Sequence, residues 1–592
     1  VPESLPTNRE VAERLAQIGD LLELEGAVRH RVLAYRRAAA RIATVPDSVA
    51  RMALDGRATD LPDIGATLQS KIAELATTGD IAALAKLRER IPPSLAEVAR
   101  LDGIGPKRAS ALWAALGVND VEGLAAALED GRVAAVPGFG PGTVARLRDA
   151  LARREETGGE EDPRVPLGRA LPLAEEIAAD LRAAVPGSRV EVAGSLRRGR
   201  EDCHDIDLVG ATDPPSALRD ALVVHRSVER VLAQGEAGAS VMTHAGVRVE
   251  LTAGPPASFG NLIQHATGSA AHNVRLRELA VRKGMSVSQH GIVQPGGEIA
   301  VHADEDGVYA ALGLATIPPE LREDRGEIEA AAAGTLPRLV TREDLRGDLH
   351  AHTRWSDGTE SVAQMVEAAR DRGYAYLAIS DHSQSLAMAG GLTPDRLRRQ
   401  WEEIREADAR HDDITVLRAT EVDILADGRL DFDDELLAEL DWVTASMHSG
   451  LSGGDAGKLT ARALAAAESP FVDVIGHPTG RMLGRRAQAP VDIGRLVEAA
   501  ARTGTLLEIN AQPRRLDLDS AMAHRALAAG ARLTIGSDAH SGASLDFVRF
   551  GVLVARRAGA RPEDVATTRP WEELAAGRAA RLRAAGVAPE GH

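Results

Sequence analysis

His350 and His352 stand one residue apart in Arg346-GDLHAHTRWSDG-Thr359, and the carboxylate of Asp357 follows shortly after. One H-x-H pair on its own is more often part of a surface loop than of a metal site. Here it opens a series, because His382, Glu421, His448, His477, Asp538 and His540 follow at wide intervals. Imidazoles and carboxylates without a thiolate suit Mn, Zn or Fe. The set exceeds what one tetrahedral ion needs and is enough for two or three ions with open positions. Metals held together in this way generate hydroxide and clamp both oxygens of an in-line phosphoester displacement.

A second constellation lies in Gly194-SLRRGREDCHDIDL-Val209. In a strand, Asp205 and Asp207 share one face and can hold a pair of Mg²⁺ ions. Gly194 lets backbone approach a triphosphate, whose oxygens Ser195 and Arg198 can contact. A D-x-D pair alone is a weak signal, but G-S-x-R-R with the pair following is specific.

The elements that must position these residues follow from periodicity. From about 345 to 575, apolar runs at Tyr376–Ile379, Thr415–Ala419, Trp442–Ser446, Val472–Ile475, Thr505–Ile509 and Leu533–Ile535 alternate with helical stretches. Repeated βα units predict a parallel barrel-like domain with its site at the strand C-terminal ends, where the metal-ligating residues fall and distant residues converge. Residues 167 to about 255 alternate a helix with strands at Val190–Ala193, Asp205–Val209 and Val247–Leu251, a small α/β layer. Residues 256–318 read as mixed helix and turn, and Arg153–Pro166 and Arg322–Leu339 as connectors.

Residues 8 to about 155 read as short helices with three similar turns, Leu61-PDIGATLQSK-Ile72, Leu101-DGIGPKRASA-Leu112 and Val136-PGFGPGTVAR-Leu147. Turns at Gly65, at Gly103 and Gly105, and at Gly138 and Gly140 would aim backbone N–H groups at a phosphate without reading a base. The first copy departs from the others by carrying Asp63 where they have Gly.

The chain has 592 residues, predicting several domains, and its formal charge of -17 excludes a uniformly basic nucleic-acid-coating surface. The single cysteine, Cys203, excludes an intrachain disulfide and cysteine-rich zinc sites. No apolar run reaches the roughly 18 residues of a membrane span, and Val1–Glu10 lacks signal-peptide character, so the expectation is a cytoplasmic protein, acting as a monomer.

The histidine-rich series resembles the PHP (polymerase and histidinol phosphatase) domain, whose pattern H-x-H, D, H, E, H, H or C, D-x-H is filled at every position. The resemblance implies a distorted (βα)7-like barrel holding up to three ions (Mn²⁺ or Zn²⁺, with Fe as an alternative), with Glu421 bridging two. His350, His352 and Asp538 would join Glu421 at one ion and His448 and His477 at the second; Asp357, His382 and His540 would hold the third. Asp381, Asp423 and Asn510 are supporting residues in this reading.

The turns resemble helix-hairpin-helix motifs. Gly194–Val209 resembles the nucleotidyltransferase palm, specifically that of family X DNA polymerases, and the likeness runs over 8–318. It implies Mg²⁺ or Mn²⁺ at Asp205, Asp207 and Glu250, dNTP substrates, and a T-G-S turn at Gly268 with Asn273 and Arg277 facing the nucleotide and template. Lys71 falls where lyase-active members carry a Schiff-base lysine; a solvated helix lysine is the competing reading. Three features depart from the family: Glu250 replaces an Asp, His204 a Gly, and His265-Ala266 an aromatic pair.

The implied organisation is multidomain, α+β and α/β: a lyase-like helical domain (1–92), a helix-hairpin-helix domain (93–155), a palm (165–255), a thumb-like domain (256–320), a linker (321–342) and a PHP domain (343–578). The expected function is gap-filling DNA synthesis on gapped or primer-template DNA combined with Mn-dependent 3′-5′ exonuclease action. The alternative is a PHP nuclease whose degenerate palm only binds DNA. A repair scaffold and a small-molecule phosphatase are weaker readings, since the first leaves the ligand set unused and the second leaves residues 1–318 unexplained.

Overall fold

The computed structural model describes residues 5–101, 104–140, 142–145, 147–148, 151 and 164–587. Gly103 and most of the Arg153–Pro166 connector lie outside them. No single helix among the described residues is long and apolar enough to cross a membrane.

The N-terminal region is helical around its own core, in which Leu15, Ile42, Ile72, Leu112, Leu124 and Leu147 meet. Helix α1 (Ala66–Thr78) follows Gly65 and stops at Gly79, whose left-handed φ of 84° suits a residue without Cβ. Helix α2 (Gly105–Leu116) carries Pro106 in its first turn, where a missing N–H costs nothing. Asp63 adopts φ 68° and Gly138 φ 92° at matching positions of their turns. The first turn therefore keeps the left-handed geometry despite its Asp, a residue whose short polar side chain tolerates it.

The palm consists of helix α3 (Leu167–Ala184) on a five-stranded sheet. Its strands are β1 (Arg189–Val192), β2 (Asp205–Ala211), β3 (Val228–Gln234), β4 (Gly238–Thr243) and β5 (Arg248–Gly254), in the order β1-β2-β5-β4-β3. Strands β2 and β5 are parallel with Asp205 opposite Arg248 and Asp207 opposite Glu250. The β3-β4 hairpin was not among the expected strands; β3 is mostly exposed and carries no alternating apolar face.

Beyond it, a short helix α4 (Gly194–Arg197) follows β1, and α5 (Phe259–Thr267) and α6 (Ala270–Arg282) follow β5. Three short antiparallel strands between 286 and 300 complete the thumb region, where the sequence suggested only helix and turn. The segment read as a connector is packed: helix α7 (Glu327–Ala333) contributes Ile328 and Ala331 to the thumb core, and Arg322 has no exposed surface.

The C-terminal domain is a nearly closed barrel of seven parallel strands in sequential order: β6 (Gly347–Ala351), β7 (Tyr376–Ile379), β8 (Thr415–Asp423), β9 (Trp442–Ser446), β10 (Val474–Ile475), β11 (Leu506–Asn510) and β12 (Leu533–Gly536). A bridge between Ala351 and Ala539 joins its first and last strands. Strand β6, which carries His350, was not among the expected strands. It is buried throughout yet contains Asp348 and His350, so it lacks an apolar run. The burial is tolerated because Asp348 accepts hydrogen bonds from the backbone N–H of His350 (3.0 Å) and Ser537 (3.2 Å). Helix α8 (Val548–Ala558) follows the barrel and meets the palm, with Leu553 against Gly199 and Arg549 donating to Glu175 of α3 (2.9 Å).

Candidate active sites

The barrel's strand ends bring all nine expected ligands into one cluster, mostly buried, with Asp357 and His540 at its open side. Glu421, inside β8 rather than after it, occupies the centre. Its Oε2 lies 2.7 Å from His382 Nδ1, 3.5 Å from His350 Nε2 and 3.6 Å from His352 Nε2. Its Oε1 lies 2.9 Å from His477 Nε2 and 3.4 Å from His448 Nε2. Asp538 Oδ1 is 3.2 Å from His352 and 3.9 Å from His350, while Asp357 Oδ1 is 3.3 Å from His540 and 3.5 Å from His382.

Three donor sets have ligand atoms mutually close enough for one ion: His350, His352 and Asp538; His352, Asp357, His382 and His540; and His382, Glu421 and His448. His352 and His382 are each shared between two sets, so neighbouring ions would be tightly spaced. The ring nitrogens of His352, with His350 Nε2, His382 Nδ1, His448 Nε2 and Glu421 Oε2, are buried without a well-aligned hydrogen bond. Buried polar atoms left in this state are costly, and divalent cations would satisfy them, so the residues fit a multi-metal centre.

The electrostatics agree. Burial opposes charge on His448 and His540, yet Glu421 and Asp423 push the first up to about 9, and Asp357 and Asp538 push the second to about 9. Burial would raise the Glu421 carboxyl, but His382, His448 and His350 hold it well below the usual range. Without cations, protons on His448 and His540 would offset part of the carboxylate charge. Burial and then Arg515 push His477 the other way, down to about 4. His477 and Asp538 also adopt positive φ of 27° and 52°, rare for such residues and concentrated at functional sites.

Supporting residues fix the ligands. Asp423 Oδ1 lies 3.1 Å from His448 Nδ1, and Asn510 donates to Asp538 (3.1 Å) and Glu508 (3.2 Å). Asp381 accepts from the backbone N–H (2.9 Å) and hydroxyl (2.6 Å) of Thr353 and so shapes the loop after His352. Glu508 went unnoticed in the sequence although it lies 2.6 Å from His350 Nδ1; a carboxylate inside the apolar strand Leu506-LEI-Asn510 was the available signal. Arg515, whose Nε lies 3.5 Å from Asp538 Oδ2, was missed as well.

The palm holds a cavity of about 500 Å³ lined by Gly194, Ser195, Arg198, His204, Asp205, Asp207, His265, Ala266, Gly268 and Asn273, among others. Burial and then the charges of Asp205 and Glu250 push the Asp207 carboxyl up to about 6, the signature of carboxylates awaiting a cation. A Cβ on Gly194 would lie 1.8 Å from Asp207 Oδ2, so only glycine admits that carboxylate. Arg248, overlooked in the sequence, binds Asp205 and lies 3.5 Å from Glu250; alternation along Arg248-VEL-Leu251 placed it on the same face. These residues fit a divalent-cation pair, with Arg248 in competition.

The remaining candidates are placed unevenly. Arg198 donates to the Thr267 carbonyl and to Glu323 (3.2 Å), and Arg557 of α8 donates to the Arg198 carbonyl (2.6 Å) and to Glu323 (3.0 Å). Asn273 is tied to the His265 carbonyl and to Gln264, at 2.9 Å each. Arg277 is exposed on α6 and Lys71 half-buried on α1, and neither lines the cavity. Gly65, Gly105, Gly138 and Gly140 have open space where a Cβ would stand, leaving room for a close backbone approach.

Comparison with known proteins decides the family. Residues 6–81 match the helix-hairpin-helix domain, 95–153 the SAM-like helix-hairpin-helix tandem, 262–323 the DNA polymerase beta thumb and 348–512 the PHP domain. The chain is 36% identical over 571 residues to the DNA polymerase/3'-5' exonuclease PolX of Bacillus subtilis (strain 168), covering 96% of this chain and 98% of that protein. The chain belongs to the bacterial family X DNA polymerases with a C-terminal PHP domain. In this family X chain the PHP match ends at 512, and Asp538 and His540 beyond it are brought back to the cluster by β12. The barrel region is also similar to proteins named "Probable phosphatase": 29% identity over 211 residues in Caldanaerobacter subterraneus subsp. tengcongensis (34% of this chain, 78% of that protein). In Shewanella loihica the figure is 33% over 207 residues, covering 33% of this chain and 79% of that one.

Proposed function

We propose that the chain is a two-site DNA repair enzyme that fills short gaps at the palm and trims 3′ ends in the barrel as a Mn²⁺-dependent 3′-5′ exonuclease. The observation that carries this reading is the coexistence of two separate cation-ready constellations in one chain that aligns end to end with a polymerase/exonuclease. Gapped or primer-template DNA and dNTPs are the substrates in this reading, and the turns at Gly65, Gly103, Gly105, Gly138 and Gly140 grip the backbone.

In the palm, Asp205, Asp207 and Glu250 would hold two cations; Ser195 and Arg198 orient the triphosphate; Asn273 and Gly268 shape the wall against which the nucleotide rests. In the barrel, the nine ligands would hold up to three ions, with Mn²⁺ favoured by the absence of thiolates and Zn²⁺ the alternative. Divalent cations bound in these places supply an activated water and a charge clamp for phosphoester displacement. The chain's own contribution is orientation: Glu508 and Asp423 fix the His350 and His448 rings, and Arg515 brings a positive charge beside Asp538. Lys71 as a lyase nucleophile remains a subsidiary proposal.

One observation favours a second reading, a nuclease whose palm only grips DNA: Arg248 bonds Asp205 and approaches Glu250, filling the charge role of a cation. A single experiment separates the two. A 5′-labelled primer over a short gap is incubated with Mn²⁺, with and without dNTPs, using the parent, His350→Ala/His352→Ala and Asp205→Ala. Lengthening lost only in Asp205→Ala, and shortening lost only in the histidine variant, supports two sites. Shortening without lengthening in any variant supports the second reading.

A further inference from the structure

The two sites meet through one buried arginine. Glu201 precedes Asp202, which with Arg200 lines the palm cavity. Its carboxylate lies 2.9 Å from Arg481 Nη2, and the Arg481 side chain is 11% exposed. Arg481 stands in the barrel loop after His477, and the same guanidinium donates to the Arg515 carbonyl (Nε, 2.9 Å) and to the Leu516 carbonyl (Nη2). Arg515 in turn reaches Asp538. Leu516, fully buried, adopts φ 47°, a conformation that a branched residue keeps only where its surroundings hold it. Alongside, α3 packs directly on the same turn: a Cβ on Gly168 would fall 2.2 Å from Pro513 Cβ.

We propose that Arg481 is a positioning residue for the barrel's metal centre, held in register by Glu201, so that the palm sets the geometry in which the barrel hydrolyses phosphodiesters. The proposal rests on the hydrolytic reading of the barrel. A buried guanidinium needs a counter-charge. Apart from Glu201, the negative charge around it comes from the buried Asp517 and from Asp519, whose carboxylate lies 3.8 Å from Nη1. Neutralising Glu201 leaves Asp517 and Asp519 as the charges that attract Arg481 and draws it toward them and away from the two carbonyls. The turn that holds Leu516 in its left-handed conformation then relaxes, and Arg515 loosens against Asp538. No ligand is altered. Because coupling is reciprocal, movement of 200–202 on filling the palm cavity reaches the barrel by the same route.

The test uses the full chain and the Glu201→Gln variant, with Arg481→Lys and the double variant as companions. Hydrolysis of bis(p-nitrophenyl) phosphate with Mn²⁺ is measured, because so small a diester needs no grip on DNA; bound Mn²⁺ is counted in parallel. The expected result is a kcat lower by about tenfold in Glu201→Gln, with KM and Mn²⁺ stoichiometry unchanged, and with a double variant no worse than the lower single variant. Unchanged kcat overturns the proposal. So does a loss confined to DNA substrates, which would make Glu201 a DNA contact. If the parent hydrolyses neither substrate, the hydrolytic reading itself fails. The strut is then read by hydrogen–deuterium exchange at residues 510–519: faster exchange in Glu201→Gln supports it, and unchanged exchange overturns it.

Discussion

Gly194→Ala is the sharpest probe of the palm. A Cβ there would fall 1.8 Å from Asp207 Oδ2 and 2.7 Å from its Cγ, and the residue's φ is +60°. Non-bonded atoms need about 3.5 Å, so Asp207 would have to retreat by about 1.7 Å. The left-handed backbone adds about 1 kcal/mol for alanine. Misplacing a reacting or ligating group by about 1 Å costs roughly 100-fold in rate. Single-turnover incorporation of one dNTP into a gapped duplex should therefore fall by at least about 100-fold. Trimming of a single-stranded oligonucleotide by the same preparation should stay within about twofold, since no barrel residue is touched. Incorporation within about threefold of the parent would refute the argument, because it would mean that Asp207 need not occupy its present position for nucleotide transfer.

Three further outcomes follow from the geometry. Glu508→Gln, which weakens the bond orienting His350, should lower Mn²⁺ affinity by about 10- to 100-fold in a binding titration; an unchanged isotherm would remove Glu508 from the site. Arg557→Ala should raise the dNTP KM by about tenfold, because it removes the donor that holds the Arg198 carbonyl and Glu323; an unaltered KM would show that Arg198 needs no help from the barrel domain. Burial raises the Glu305 carboxyl, but Arg322 and Arg197 overcome it and hold it below the usual range. A depressed folded-state pKa contributes stability above the unfolded value and loses it as pH falls through the folded one. Glu305→Gln should thus cost about 3–5 kcal/mol in denaturant unfolding near pH 7 and less in acid; a pH-independent penalty would contradict the pairing.

What was legible in the sequence divides along physical lines. Strands β7 to β12 announced themselves as apolar runs because both faces of a parallel barrel strand are covered. Strand β6 did not, since Asp348 and His350 replace apolar residues in it; the backbone N–H groups of His350 and Ser537 satisfy Asp348, and Glu508 of β11 satisfies His350. The ligand series was readable because each donor falls near a strand end, and so was the Asp205/Asp207 pair. Glu508, Arg515 and Arg248 were not singled out, because their roles come from side chains far off in the chain. The connector 321–342 looked polar and loose, but Arg322 is buried against Glu305 and the Ile317 carbonyl, and Glu327 meets the buried His272 at 2.7 Å. Polarity in sequence gave no sign that each charge had a partner.

The distribution of cores bears on how two sites can serve one substrate. Buried residues of the palm, such as Leu173, Ile206 and Val249, belong to the same continuous cluster as barrel residues Leu377, Ile509 and Val554. The helix-hairpin-helix region has a separate core, and the thumb another. Arg481 with Glu201 reinforces the palm–barrel junction, while Arg557 with Glu323 and Arg556 with Glu320 tie the thumb to barrel helix α8. Units that share a core move as one, whereas units with separate cores and polar contacts reorient at little cost. A pair such as Arg226 with Asp47, both substantially exposed, ties the N-terminal region to the palm and is worth little in water. The fixed frame is therefore palm plus barrel, with the thumb pinned to the palm by Arg197–Glu305 and to the barrel by Arg556–Glu320 and Arg557–Glu323, and the unit that reorients at least cost is the N-terminal helical region.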